Sequence, residues 1–137
     1  MQIKIEHVEK KQGLIFKKTL YGVALTINFN GEEEGIIEQR KLQKDVILER
    51  GIPADVDADK HSNRGIVKVL ATAAVKGMDA NNFHLTINKL MVGTDTYFFE
   101  TPLEAKQYEA ELKELLPNFK EYIMGNAELG GSDTFEL

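Results

Sequence analysis

The sequence predicts an α+β fold: a mainly antiparallel sheet with a long C-terminal amphipathic helix packed on one face and one or two shorter helices. Three observations carry that expectation. Phe83, Leu85 and Ile87 alternate with His84, Thr86 and Asn88, the period of a half-buried strand, and Tyr97-Phe-Phe-Glu-Thr101 reads as its return across the turn at Met91–Thr96. Val23, Leu25, Ile27 and Phe29 alternate with Ala24, Thr26, Asn28 and Asn30, the clearest two-sided pattern in the chain. Thr101-Pro102-Leu-Glu104 supplies an N-cap, a first-turn proline and a capping-box glutamate. Tyr108, Leu112, Leu115, Leu116, Phe119, Tyr122 and Ile123 follow at three- and four-residue spacing as one apolar stripe.

The elements follow in order. Gln2–Val8 alternates as a strand, with Ile3 and Ile5 on one face, and Glu9–Gly13 turns the chain. Leu14–Tyr21 reads as a second strand, broken from the third at Gly22. Asn30 followed by Glu32, Glu33 and Glu34 starts a short helix, because Asn caps and acids suit the positive end of the helix dipole. Arg40, Lys41 and Lys44 suit its other end. Val46–Glu49 reads as a short strand and Gly51–Gly65 as a long polar loop. Residues 66–76 fit both periods, and Ala71-Thr-Ala-Ala74 tilts the choice to helix, ended by Gly77. Pro117 should kink or restart the last helix, because it lacks an amide hydrogen and crowds the preceding turn. The expected core is Val23, Leu25, Ile27, Phe29, Leu85, Ile87, Phe99, Leu112, Leu115 and Phe119.

Leu25-Thr-Ile-Asn28 recurs as Leu85-Thr-Ile-Asn88. An internal duplication would place both in equivalent elements, but their neighbourhoods are out of register, and shared strand composition is the simpler account.

Size and charge bound the rest. The 137 residues form one domain by length, read as a globular part over 1–124 and an acidic tail over 125–137. The net charge is −5, but without Glu128, Asp133 and Glu136 the remainder has 17 basic against 19 acidic residues, a net of −2. So balanced a body has no global field to hold nucleic acid or anionic lipid. Lys10, Lys11, Lys17 and Lys18 flank the first hairpin turn beside Phe16 and Tyr21. They could grip a phosphate backbone, or simply mark an edge strand that must not aggregate, and the second account suits the balanced charge. No run of eighteen apolar residues exists, and the N-terminus alternates as a strand, so the expectation is a cytoplasmic protein without a membrane span.

Few residues carry chemistry. There is no cysteine, which excludes disulfides, thiolate metal sites and cysteine nucleophiles. Asp55, Asp57 and Asp59, with His61 after them, alternate as hard-cation ligands can. They do not make an EF-hand loop: Lys60 stands where a glycine is needed and Ile66 where a glutamate is needed. No metal and no cofactor are therefore expected. The histidines are His7, His61 and His84. His84 and His61 are the candidate acid–base residues, and a His7/His84 pair would require the two strands to be neighbours. Ser62 and Ser132 are the only serines, and neither lies on a nucleophile elbow. The tail ending Phe135-Glu-Leu137 could dock a partner as a short linear element.

Two functions fit this inventory. The first is a non-catalytic binding or regulatory module, engaging a protein partner through its sheet or helix surface. Phe98 and Ile47 are its candidate exposed anchors, and a homo-oligomer stays open. The second is a small enzyme or ligand binder with a pocket between sheet and helix, its polar lining drawn from His84, Asn88, Tyr108 or the Asp55–His61 loop.

Overall fold

A computed structural model describes residues 1–42 and 64–136, with side chains described except at 75, 122 and 124–136. Its elements are β1 (Gln2–Gln12), β2 (Lys18–Asn28), α1 (Gly31–Lys41), α2 (Gly65–Lys76), α3 (Ala80–Met91), β3 (Thr94–Phe99) and α4 (Pro102–Glu136). The strands form one antiparallel sheet in the order β1-β2-β3. The fold is α+β as the sequence predicts. The expected strand at Val46–Glu49 and most of the loop from Gly51 lie outside the described residues.

Local signals place the helix starts. Asn30 caps α1 through a full capping box: the Glu33 amide donates to Asn30 Oδ1 at 2.8 Å and the Asn30 amide donates to Glu33 Oε1 at 2.9 Å. At α4 the Glu104 amide donates to Thr101 Oγ1 at 3.2 Å, and Pro102 takes the first helical position. The helix runs unbroken through Pro117. Residues 66–76 are helical, and Gly77, at φ 81°, ends α2 in a conformation that favours glycine.

Two expectations are corrected. The strand and hairpin expected over Phe83–Asn88 are instead the helix α3, capped by Asp79, whose carboxylate accepts from the Asn82 amide at 2.8 Å. Phe83, Thr86, Ile87 and Leu90 are its buried residues, and their spacing is helical. Leu85, expected in the core, is 62% exposed because helical geometry turns it away from the face that carries Phe83 and Ile87. The return strand is real, as β3, but it pairs with β2. The repeated tetrapeptide therefore lies in a strand at Leu25–Asn28 and in a helix at Leu85–Asn88, which removes the duplication.

The second correction concerns Leu14–Tyr21 and the break at Gly22. Pairing of β1 with β2 ends at Gln12 and Lys18, so Leu14, Ile15 and Phe16 belong to the turn. Strand β2 then passes through Gly22 without interruption. Gly22 is there for space. A Cβ on it would lie 2.7 Å from both the Phe98 ring and Val8 Cγ2. Gly22→Val is expected to destabilise the protein by about 1–3 kcal/mol through overpacking, read as a lower urea midpoint at unchanged slope.

Helices α3 and α4 pack on the sheet, and α1 and α2 pack on α4. The core joins Val23, Leu25 and Ile27 of β2 and Phe99 of β3 to Phe83 and Ile87 of α3 and to Leu112, Leu115, Leu116, Phe119 and Ile123 of α4. Phe29 packs against this cluster while partly exposed. Tyr108 sits at the junction. Its ring lies 5.0 Å from Phe99 and 5.8 Å from Tyr97, and the Ile66 amide donates to its hydroxyl at 3.0 Å.

Candidate functional site

Among the described residues, those singled out for chemistry do not converge. His84 lies half-buried on α3 rather than on a strand, and no hydrogen bond or ion pair involves it among the described residues. His7 is on β1 and bonds Glu109 of α4 at 2.9 Å, so no His7/His84 pair forms. That bond holds the Glu109 carboxyl below the usual range, against the opposing effect of burial, and the charges of His7 and Lys113 add to it. Asn88 accepts from Lys41 at 2.9 Å, and Tyr108 is buried with its hydroxyl engaged. Asp55, Asp57, Asp59, His61 and Ile47 lie outside the described residues. Among the described residues no three histidine or acidic side chains gather as a metal site.

Two shallow grooves stand out among the described residues. One, of about 330 Å³, lies between α2 and α3, with Lys68, Thr72, Met78, Asn82 and Leu85 among its walls. The other, of about 340 Å³, lies between β1 and α4, against Ile3, Ile5, Glu109, Lys113, Leu116 and Pro117. The second is a sheet–helix groove, but none of His84, Asn88 or Tyr108 lines it. Its charged pair, Glu109 and Lys113, forms an ordinary i,i+4 ion pair at 3.4 Å.

The first hairpin is exposed along most of β1 and at its turn. β1 pairs with β2 over its full eleven residues, and its other edge has no strand beside it among the described residues. Only Ile5 and Val8 along it are even half-buried. Beyond the Gln12–Lys18 pair, five residues close the turn. Gly13 adopts φ 120°, and a Cβ there would sit 2.4 Å from the Phe16 carbonyl oxygen. Glycine thus lets the turn fold tightly over its own backbone. At the apex Leu14, Ile15 and Phe16 are 100%, 87% and 89% exposed.

Lysines surround that apex. Lys10 places its ammonium 4.1 Å from the Phe98 ring centroid, and Lys18 bonds Glu100 at 2.5 Å. Phe98, expected as an exposed anchor, is half-buried under Lys10. Strand propensity alone makes Leu14–Phe16 look like strand interior. The signal that marks them as an apex is their bracketing by two lysine pairs and a glycine, KKQGLIFKK. Apolar residues with no opposing layer cannot be core.

No family model matches the chain, and comparison with curated proteins and with solved structures gives no match.

Proposed function

We propose that the chain is a non-catalytic binding module, working in the cytoplasm, that engages a protein partner through its sheet. One observation supports this most directly: β1 is an eleven-residue strand, exposed along most of its length, with no strand on its other edge among the described residues. Strands typically run to about five or six residues, and proteins keep exposed edges short. A long bare edge offers a row of amide and carbonyl groups to which an extended segment can add as a further strand. The pattern of charges at Lys4, Glu6, Glu9 and Lys10 along it would set the register of that segment. The same charges oppose indiscriminate pairing. A catalytic reading would need an acid–base residue with a neighbour that tunes it inside a cleft, and His84 has none among the described residues. Among the described residues no helix is long and apolar enough to cross a membrane.

The test is capture from native extract followed by hydrogen-exchange mapping of the complex, beside a hydrolase screen of the purified chain. The expected result is a stoichiometric protein partner that slows exchange in Gln2–Gln12 by about tenfold or more, with no turnover. Turnover that survives purification and disappears in His84→Ala would overturn the module. A partner that protects only helical amides would overturn the assignment to β1.

A further inference from the structure

We infer that the β1–β2 hairpin is a membrane-docking finger whose apex, Leu14-Ile15-Phe16, inserts into the interface of an anionic lipid bilayer. The site lies beyond the last β1–β2 pair, so it stands or falls separately from the edge of β1. Isolated exposed apolar residues are ordinary, but three in a row at the apex of a hairpin are not. The apex is convex. It offers no groove for a small ligand, and a convex apolar tip needs an acceptor that can close around it. The hydrocarbon boundary of a bilayer does that without a matching shape.

Charge says which surface. Lys10, Lys11, Lys17 and Lys18 bracket the apex on both arms, with no acid from Lys10 to Lys18. Lys11 and Lys17 make no ion pair among the described residues. Lys10 turns back over the Phe98 ring and Lys18 to Glu100, which leaves Lys11 and Lys17, each within about 10 Å of the apex along the chain at about 3.3 Å of rise per residue. Interfacial side chains bury to a depth of about 5–10 Å, which leaves the lysines at the level of the lipid phosphates. Their flexible stems let them reach upward to that level. The chain's overall charge of −5 does not cancel this. Screening at about 8 Å confines each field; Glu9 and Glu100 lie on the body side, Glu100 paired with Lys18, and leave Lys11 and Lys17 as the local positive charge. Single-stranded nucleic acid fits less well, because two of the three apex residues are aliphatic and cannot stack on bases.

The full chain has no tryptophan, so Phe16→Trp installs a single fluorescent reporter at the apex. Vesicles of phosphatidylcholine with about 30% phosphatidylserine are compared with pure phosphatidylcholine. The expected result is a blue shift on the anionic vesicles and binding at least about tenfold tighter than to neutral ones. The double variant Leu14→Asp/Ile15→Asp should weaken sedimentation with anionic vesicles by about thirtyfold or more. Lys11→Gln/Lys17→Gln should remove most of the preference for anionic lipid. Circular dichroism should be unchanged in both variants, since all four residues are exposed. Binding without a blue shift and indifferent to the aspartates would overturn the inference. So would a shift of the indole emission produced by single-stranded DNA or by an extract protein while vesicles produce none.

Discussion

Replacing Tyr108 with alanine is expected to remove about 4 kcal/mol or more of stability, close to the whole margin of a small domain. The reason is positional. The ring fills the space between α4 and β3 against Phe99 and Tyr97, and the residue is 1% exposed. Its hydroxyl does a second job. Helix α2 begins after Arg64, which makes no side-chain capping bond, so its first amides have no partner within the helix. Tyr108 supplies one from outside, accepting from the Ile66 amide. Tyr108→Phe keeps the ring and strands that amide, so a loss of about 1–3 kcal/mol is expected.

The pH dependence separates the two roles. Burial pushes the Tyr108 hydroxyl up from 10.0 to about 12, opposed by the Val67 and Ile66 amides. A group whose folded pKa is raised contributes stability that is complete below its unfolded value. That contribution is lost as pH climbs from about 10 towards 12. Urea melts across this window should fall more steeply for the wild-type chain than for Tyr108→Phe. Parallel slopes would contradict the buried position.

The second large effect is expected at Glu33. Its side chain is 4% exposed, yet it is charged, with the Met1 ammonium 2.7 Å away and the Asn30 amide donating to it. Burial alone would raise its carboxyl. The hydrogen bonds from the ammonium and from Asn30, with the charges of the ammonium and Lys120, outweigh burial and hold it below the usual range. Glu33→Ala breaks the capping box and removes the carboxylate that pairs with the Met1 ammonium, at an expected cost of about 2–4 kcal/mol. The sign with pH is opposite to that of Tyr108. A depressed carboxyl contributes fully above its unfolded value, about 4.3, and the contribution is lost as pH falls through the lower folded value. Wild type should therefore lose stability on acidification faster than Glu33→Gln, measured by denaturation between about pH 6 and 3.

Both predictions rest on residues whose importance the sequence discloses only in part. Glu33 is visible as an acid in the first turn of a helix, but its pairing with Met1 is not. Tyr108 is visible in the apolar stripe of α4, but its capping of α2 joins residues 42 positions apart. Of the candidate site residues, His84 reads as part of a strand and stands on a helix, while Asp55, Asp57, Asp59 and His61 fall outside the described residues. The apex of the first hairpin reads as a strand because Leu14, Ile15 and Phe16 include good strand formers.

Local sequence signals settle what depends on a few neighbouring residues. The Asn30 cap, the Thr101-Pro102 start, the glycine stop at Gly77 and the stripe of α4 are all set by groups within one or two helical turns, and each stands where the sequence predicts it. What depends on which surface waits opposite is settled by packing between elements. Leu-Thr-Ile-Asn is a strand at residues 25–28, where β1 pairs with all four residues and β3 with Leu25 and Thr26. The same four residues are a helix at 85–88, where Asp79 caps the segment and only one face meets the core. Period two fits Phe83–Asn88, the reading the sequence suggests, while the helical spacing of Phe83, Ile87 and Leu90 fits the longer stretch. The choice falls to burial, because the helix places Phe83, Ile87 and Leu90 together against the core and turns Leu85 out, and no stretch of four residues carries that information.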